Sequence, residues 1–99
     1  MIGLGASNAY RTRDAAGASL LAGRFATEQA QDVPGGSAWS VDGVPNSRCY
    51  TGKDSDSDPV AYCVVPVGRY VAEYTSPQPT KTKQAVSAAY LILRAATRG

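Results

Sequence analysis

The strongest pattern of apolar and polar positions lies between residues 60 and 75. Val60, Ala61, Tyr62, Cys63, Val64 and Val65 form an almost unbroken apolar run. Further on, Tyr70, Ala72 and Tyr74 fall on one face and Arg69, Val71 and Glu73 on the other. Alternation of this kind, rich in β-branched and aromatic residues, predicts strand. Pro66-Val67-Gly68 interrupts it, which predicts a bulge or kink with Pro66 where no ladder donor is needed. Arg48-Cys49-Tyr50 reads as the other arm of a hairpin, joined through the polar loop 51–59. Residues 37–42, centred on Trp39, read as a short strand or an extended approach, and Gly43-Val44-Pro45-Asn46 as a turn. Residues 4–13 are a further strand candidate, weakened by their glycines.

Two segments switch to helical spacing. Over residues 15–30, Ala18, Leu21, Ala22 and Phe25 stand at i, i+3, i+4 and i+7, with Asp14 placed as N-cap. Gly17 and Gly23 lower intrinsic helicity or allow close packing against a sheet, and Val33-Pro34-Gly35-Gly36 ends the segment. After the loop Ser76-Pro77-Gln78-Pro79, Thr80 is expected to cap a second helix over 81–97. Its apolar stripe is Ala85, Val86, Ala89, Ile92, Leu93 and Ala96, with Tyr90 and Leu91 at the margins. Arg94 and Arg98 fall near its C-terminus, where the helix dipole favours cations.

The resulting order, β-α-β-β-α, predicts an α+β fold: a two-layer sandwich of an antiparallel sheet with two helices outside it. It is compatible with a ferredoxin-like arrangement whose final strand is missing or supplied by another part of the molecule. An incomplete sheet edge recruits partners, including a second copy of the same chain.

Length and charge narrow the classes. Ninety-nine residues with 43% hydrophobic content make one domain with one modest core. The formal charge of +2 is mild, and Arg11, Arg13, Arg24, Arg48, Arg69, Lys81, Lys83, Arg94 and Arg98 form no block. Nucleic-acid binding calls for a basic patch or stripe, so that class is set aside. The apolar stretch 85–96 is broken by Ser87 and Arg94 and is well short of the ~20 residues that span a bilayer.

Cys49 and Cys63 are the only cysteines. At the foot of one hairpin they read as a disulfide, hence as a sign of an oxidising compartment outside the cytosol. Zinc needs about four ligands, and the chain has no histidine and no further cysteine. A redox pair would stand in C-x-x-C spacing, which is absent. Two inert buried thiols are the remaining alternative. Residues 1–7 are too short and too weakly apolar for a signal peptide. An oxidising compartment without an export signal makes this chain a candidate piece of a longer protein.

Candidate chemistry is sparse. Asp54-x-Asp56-x-Asp58 alternates carboxylates on the hairpin loop, a pattern that suits a hard cation such as calcium. The rest of an EF-hand loop is missing, with Pro59 at the sixth position and Val65 at the twelfth, and a solvated acidic tip accounts for the same residues. Without histidine the usual base for a serine or cysteine nucleophile is lacking. Asp14, Glu28, Asp32, Asp42 and Glu73 are spread over different elements, and Lys81 and Lys83 sit on a helix's first turn. No catalytic residue and no cofactor are therefore expected. Tyr10, Tyr50, Tyr62, Tyr70, Tyr74, Tyr90 and Trp39 concentrate on the predicted sheet. They read either as an aromatic groove for a peptide, glycan or lipid, or as sheet packing. Trp39, Tyr62, Arg69, Tyr70 and Tyr74 are the candidate binding surface. Arg69 has Glu73, Asp42 or a tyrosine ring as candidate partners.

Val44-Pro45-Asn46-Ser47-Arg48-Cys49-Tyr50, Tyr62-Cys63-Val64-Val65, Gly68-Arg69-Tyr70-Val71-Ala72 and Lys83-Gln84-Ala85-Val86-Ser87-Ala88-Ala89-Tyr90-Leu91-Ile92-Leu93 follow one another in order. In this the chain resembles the C-terminal domain of a family of mycobacterial and related actinobacterial cell-envelope lipoproteins of unknown role (DUF7373-like). There a cysteine pair flanks a variable loop, a Gly-Arg-Tyr strand follows, and a closing helix carries an Ala-Gln-Tyr-like element. Arg11-Thr12-Arg13-Asp14-Ala15-Ala16 also fits the entry to the first helix, whereas Ala89 stands where the family pattern has glutamine. The resemblance implies a signal peptide, a lipid-modified cysteine and a larger N-terminal domain upstream, and it implies no activity.

The expectation is a non-catalytic, disulfide-stapled envelope domain that binds a protein partner, its own upstream domain or an envelope molecule. A homodimer through a sheet edge is a variant of the same reading. Two others stand beside it: an accessory domain of an envelope hydrolase, and a carrier or sensor of a lipid or small ligand.

Overall fold

The computed structural model describes residues 6–98. Leu4 and Gly5, where the first strand was expected to begin, lie outside the described residues. Within them the order is β1 (Ala6–Arg11), α1 (Ala15–Asp32), β2 (Ser37–Trp39), β3 (Arg48–Lys53), β4 (Pro59–Val67), β5 (Tyr70–Ser76) and α2 (Pro79–Arg98). The strands form one antiparallel sheet in the order β1-β5-β4-β3-β2. The α+β class, the antiparallel sheet, both helices and the disulfide are those expected from the sequence.

The sheet is covered on both faces, and β4 shows why. Ala61, Tyr62, Cys63, Val64 and Val65 are all buried, so successive residues need cover on opposite sides. Tyr62, Val64 and Val71 pack with Ala18, Ala22 and Ala26 of α1, flanked by Leu21, Phe25 and Tyr50. Cys63, Val65, Val67 and Ala72 pack on the other face with Val86 of α2, Val41 and Val44. Helices on opposite faces give helix–sheet–helix layering in place of the two layers expected. This also replaces the ferredoxin-like arrangement, in which both helices share a face.

The second departure concerns Pro66-Val67-Gly68. In place of a kink in one long strand, the chain reverses and gives β4 and β5, with Val67 opposite Tyr70. Gly68 takes φ 57° while Arg69 stays outside the positive-φ region, the sign pattern of a type II′ hairpin turn. Thr12 fastens this turn to the end of β1: its backbone N–H (2.7 Å) and its hydroxyl (2.6 Å) both donate to the Arg69 carbonyl.

Local chemistry sets the helix ends. The Asp14 carboxylate accepts from the Gly17 backbone N–H at 2.8 Å, the N-cap expected. Small residues at Ala18, Ala22 and Ala26 let α1 lie close to the sheet. At its far end Val33, Gly36 and Gly52 meet so tightly that a Cβ on Gly52 would come within 2.5 Å of Val33 Cγ1. α2 starts earlier than expected, at Pro79, a residue suited to the first helical position because its missing N–H has no partner there. Thr82 is fully buried, and its hydroxyl donates to the Ala61 carbonyl at 2.9 Å and sits 2.8 Å from Ser76 Oγ.

Candidate functional site

The five nominated residues do not share one surface. Tyr62 is buried under α1, whereas Trp39 and Tyr74 pack partly buried on the α2 side. Tyr70 shares the face of Val67, its partner across the turn, and is half-buried. Arg69 lies in the turn, where its Nε donates to the Thr12 carbonyl at 3.2 Å. Sheet packing accounts for Tyr62, Trp39 and Tyr74, and Trp39 Nε1–H also donates to Thr51 Oγ1 at 2.5 Å.

Glu73 receives the donors that Arg69 does not supply. Its Oε1 accepts from Tyr10 OH at 3.0 Å and from Asn8 Nδ2 at 3.3 Å, and its Oε2 accepts from Tyr62 OH at 2.5 Å. Burial, and then the bond to Glu73, push the Tyr62 phenol far above its ordinary range. Tyr10 is raised as well, first through its bond to Glu73. Both phenols keep their protons at neutral pH and aim them at the carboxylate. The arrangement ties β1 and β4 to β5 through one side chain and offers no free acid–base pair.

Asp54, Asp56 and Asp58 do converge, with one carboxylate oxygen from each lying within 4.8 Å of the others. Asp54, however, already has work in the loop. Its Oδ1 accepts from the backbone N–H of Asp56 at 2.9 Å and of Asp58 at 3.0 Å, while its own N–H donates to the Asp58 carbonyl at 3.0 Å. This is a side-chain cap on a five-residue hairpin tip closed by the Lys53–Pro59 pair. Asp54→Ala is expected to cost about 1 kcal/mol, by analogy with helix N-caps, as a lower urea midpoint at constant slope.

The feature that sequence reasoning missed lies beside β1. α2 covers the face of β4 and β5 but stops short of β1, leaving a groove of about 380 Å³ between them. Ala9, Ala72 and Tyr74 form its floor, and Ala85, Ala88, Ala89, Ile92 and Leu93 form the helix wall. Ile92, expected in the buried stripe, is 69% exposed, and Leu91 beside it is 61% exposed. Ala85 and Ala89, from the same stripe, are half-buried along this wall. The stripe as written was wider than the surface available, and Thr82, Val86, Tyr90 and Leu93 took the inner line. Among the described residues no helix is long and apolar enough to cross a membrane.

An α+β domain with a buried cross-strand disulfide is the class that the fold of the described residues defines. A family model described as "Domain of unknown function (DUF7373) C-terminal" matches residues 2–96, and the chain belongs to that family. No curated protein and no solved structure gives a significant match.

Proposed function

We propose that the domain is a non-catalytic interaction module of an extracytoplasmic cell-envelope protein. It presents the groove between β1 and α2, together with the open edge of β1, to a protein partner. The observation that carries this reading is the apolar groove lying directly against an unpaired strand edge. Main-chain pairing along an edge supplies affinity and a pocket for side chains supplies specificity. Ile92, which lines the groove, is a large apolar residue left exposed there. The buried Cys49–Cys63 disulfide supports the placement outside the cytosol. A lipid anchor upstream belongs to the same proposal and rests on the family pattern described above.

The test is photocrosslinking in the native cell, with benzophenone-alanine introduced at position 92 and, as control, at position 20. Leu20 is 73% exposed on α1, so mere exposure is matched. Crosslinks to a protein segment are expected at 92 and not at 20. Equal yields at both positions, or none at 92, would sink the proposal. The groove's volume also lies in the small-ligand range of roughly 300–1,000 Å³. That favours a second reading, a carrier of a small apolar ligand, for which native mass spectrometry of the protein from its own envelope would reveal a mass lost on denaturation.

A further inference from the structure

The β3–β4 hairpin reaches beyond the rest of the sheet. β2 pairs with β3 no further than Thr51, and β5 pairs with β4 no further than Ala61. Gly52↔Val60 and Lys53↔Pro59 therefore form a two-stranded stem that carries the tip 54–58. The tip bonds only to itself: the N–H groups of Asp54, Asp56, Ser57 and Asp58 donate to Asp58 and Asp54. The 4.1 Å Cα separation of Cys49 and Cys63 marks a pair that exchanges no ladder bond. By alternation Lys53↔Pro59 is another such pair. Opening the hairpin down to Gly52↔Val60 thus breaks only the tip's own bonds. The other connections are anchored to the body. Val33 is buried in 33–36, and Val41, Val44 and Ser47 are buried in 40–47. Thr12 ties 12–14 to the β4–β5 turn, and Ser76 Oγ accepts from the Gln78 N–H ahead of α2. None of residues 54–58 is buried.

We propose that residues 54–58 are a cleavage site, at which an endopeptidase divides the domain into two chains that stay folded together. Hydrolysis breaks one peptide bond and consumes one water, leaving a carboxylate on one piece and an amine on the other. The first piece keeps β1, α1, β2 and β3, and the second keeps β4, β5 and α2. In the sheet, β5 and β4 lie between β1 and β3, so the first piece clasps the second along two ladders. The Cys49–Cys63 bond joins the pieces covalently and is buried in the body of the sheet. Exposed tips whose backbone bonds little to the body are where chains tolerate nicking. This proposal stands apart from the groove and from any partner.

An Asp-directed endopeptidase, which cuts on the N-terminal side of aspartate, tests it on the oxidised full-length protein. Asp14, Asp32 and Asp42 are exposed at or beside other connections and serve as internal controls. Cleavage ahead of Asp54, Asp56 or Asp58 is expected to run about tenfold or more faster than at the controls, since cleavage follows the cost of local opening. In denaturant the two halves should stay together without reductant and separate with it. In native buffer the amides of β4 and β5 should keep their protection from hydrogen exchange after the cut. Asp54→Ala, which loosens the tip, should speed cleavage there and not at Asp42. No cut at the tip, or a first cut at a control site, would overturn the proposal. So would loss of protection in β4 and β5 after the cut, or equal acceleration at every site in the variant.

Discussion

Replacing Cys49 and Cys63 together by alanine is expected to lower the stability of the domain by about 3 kcal/mol. The two residues are directly opposite in the β3–β4 register, with Cα atoms 4.1 Å apart and a sequence separation of 14. On the chain-entropy account, a ring of this size removes about 3 kcal/mol of disorder from the unfolded chain. Set against the roughly 5–15 kcal/mol typical of a whole domain, that is a large share. Both cysteines are buried, at 1% and 0% exposure, so a mild reductant should act only on molecules that have unfolded. Urea unfolding of the oxidised protein and of the double variant measures the effect. A difference below about 1 kcal/mol would mean that the reduced chain keeps the hairpin closed by itself.

Stability is also expected to fall steeply above pH 10, with Tyr62 as the main cause. In the unfolded chain its phenol titrates near the ordinary value of 10.0, whereas in the folded protein burial and the bond to Glu73 hold the proton to much higher pH. Above pH 10 the unfolded state therefore binds fewer protons than the folded one. Stability contributed by this group is intact below pH 10 and is lost at about 1.4 kcal/mol per pH unit beyond it. Urea midpoints at pH 9, 10, 11 and 11.5 should trace that slope. Tyr62→Phe should flatten it, at the cost of a lower starting stability. A slope that survives in the phenylalanine variant would assign the effect to another group.

Much of the fold was legible because local signals agreed with one another. The helical spacing after Asp14 and the unbroken apolar run of β4 point to α1 and to a central strand without any tertiary knowledge. Gly68 misled because a Gly-X turn is a fainter mark than Asn-Gly, and the proline two residues earlier suggested a kink instead. The layering was missed because a run buried on both faces implies two covers but does not say which helix goes where. Glu73 was beyond reach for a different reason. Its partners Tyr62, Tyr10 and Asn8 lie 11, 63 and 65 residues away, and a lone carboxylate in a strand carries no motif. The groove depends on which part of an apolar stripe the sheet is wide enough to cover, and only the register of β1 against β5 settles that.

The two borders of the sheet are unequal. β2 contributes three residues, whereas β1 offers six. Stacking sheets end to end without limit requires two usable borders on every unit, one to receive and one to donate. A molecule with a single long border can accept one neighbour and is then closed. This asymmetry limits edge pairing to a single step and removes the hazard of fibre growth, since the first strand to pair there would also terminate the array.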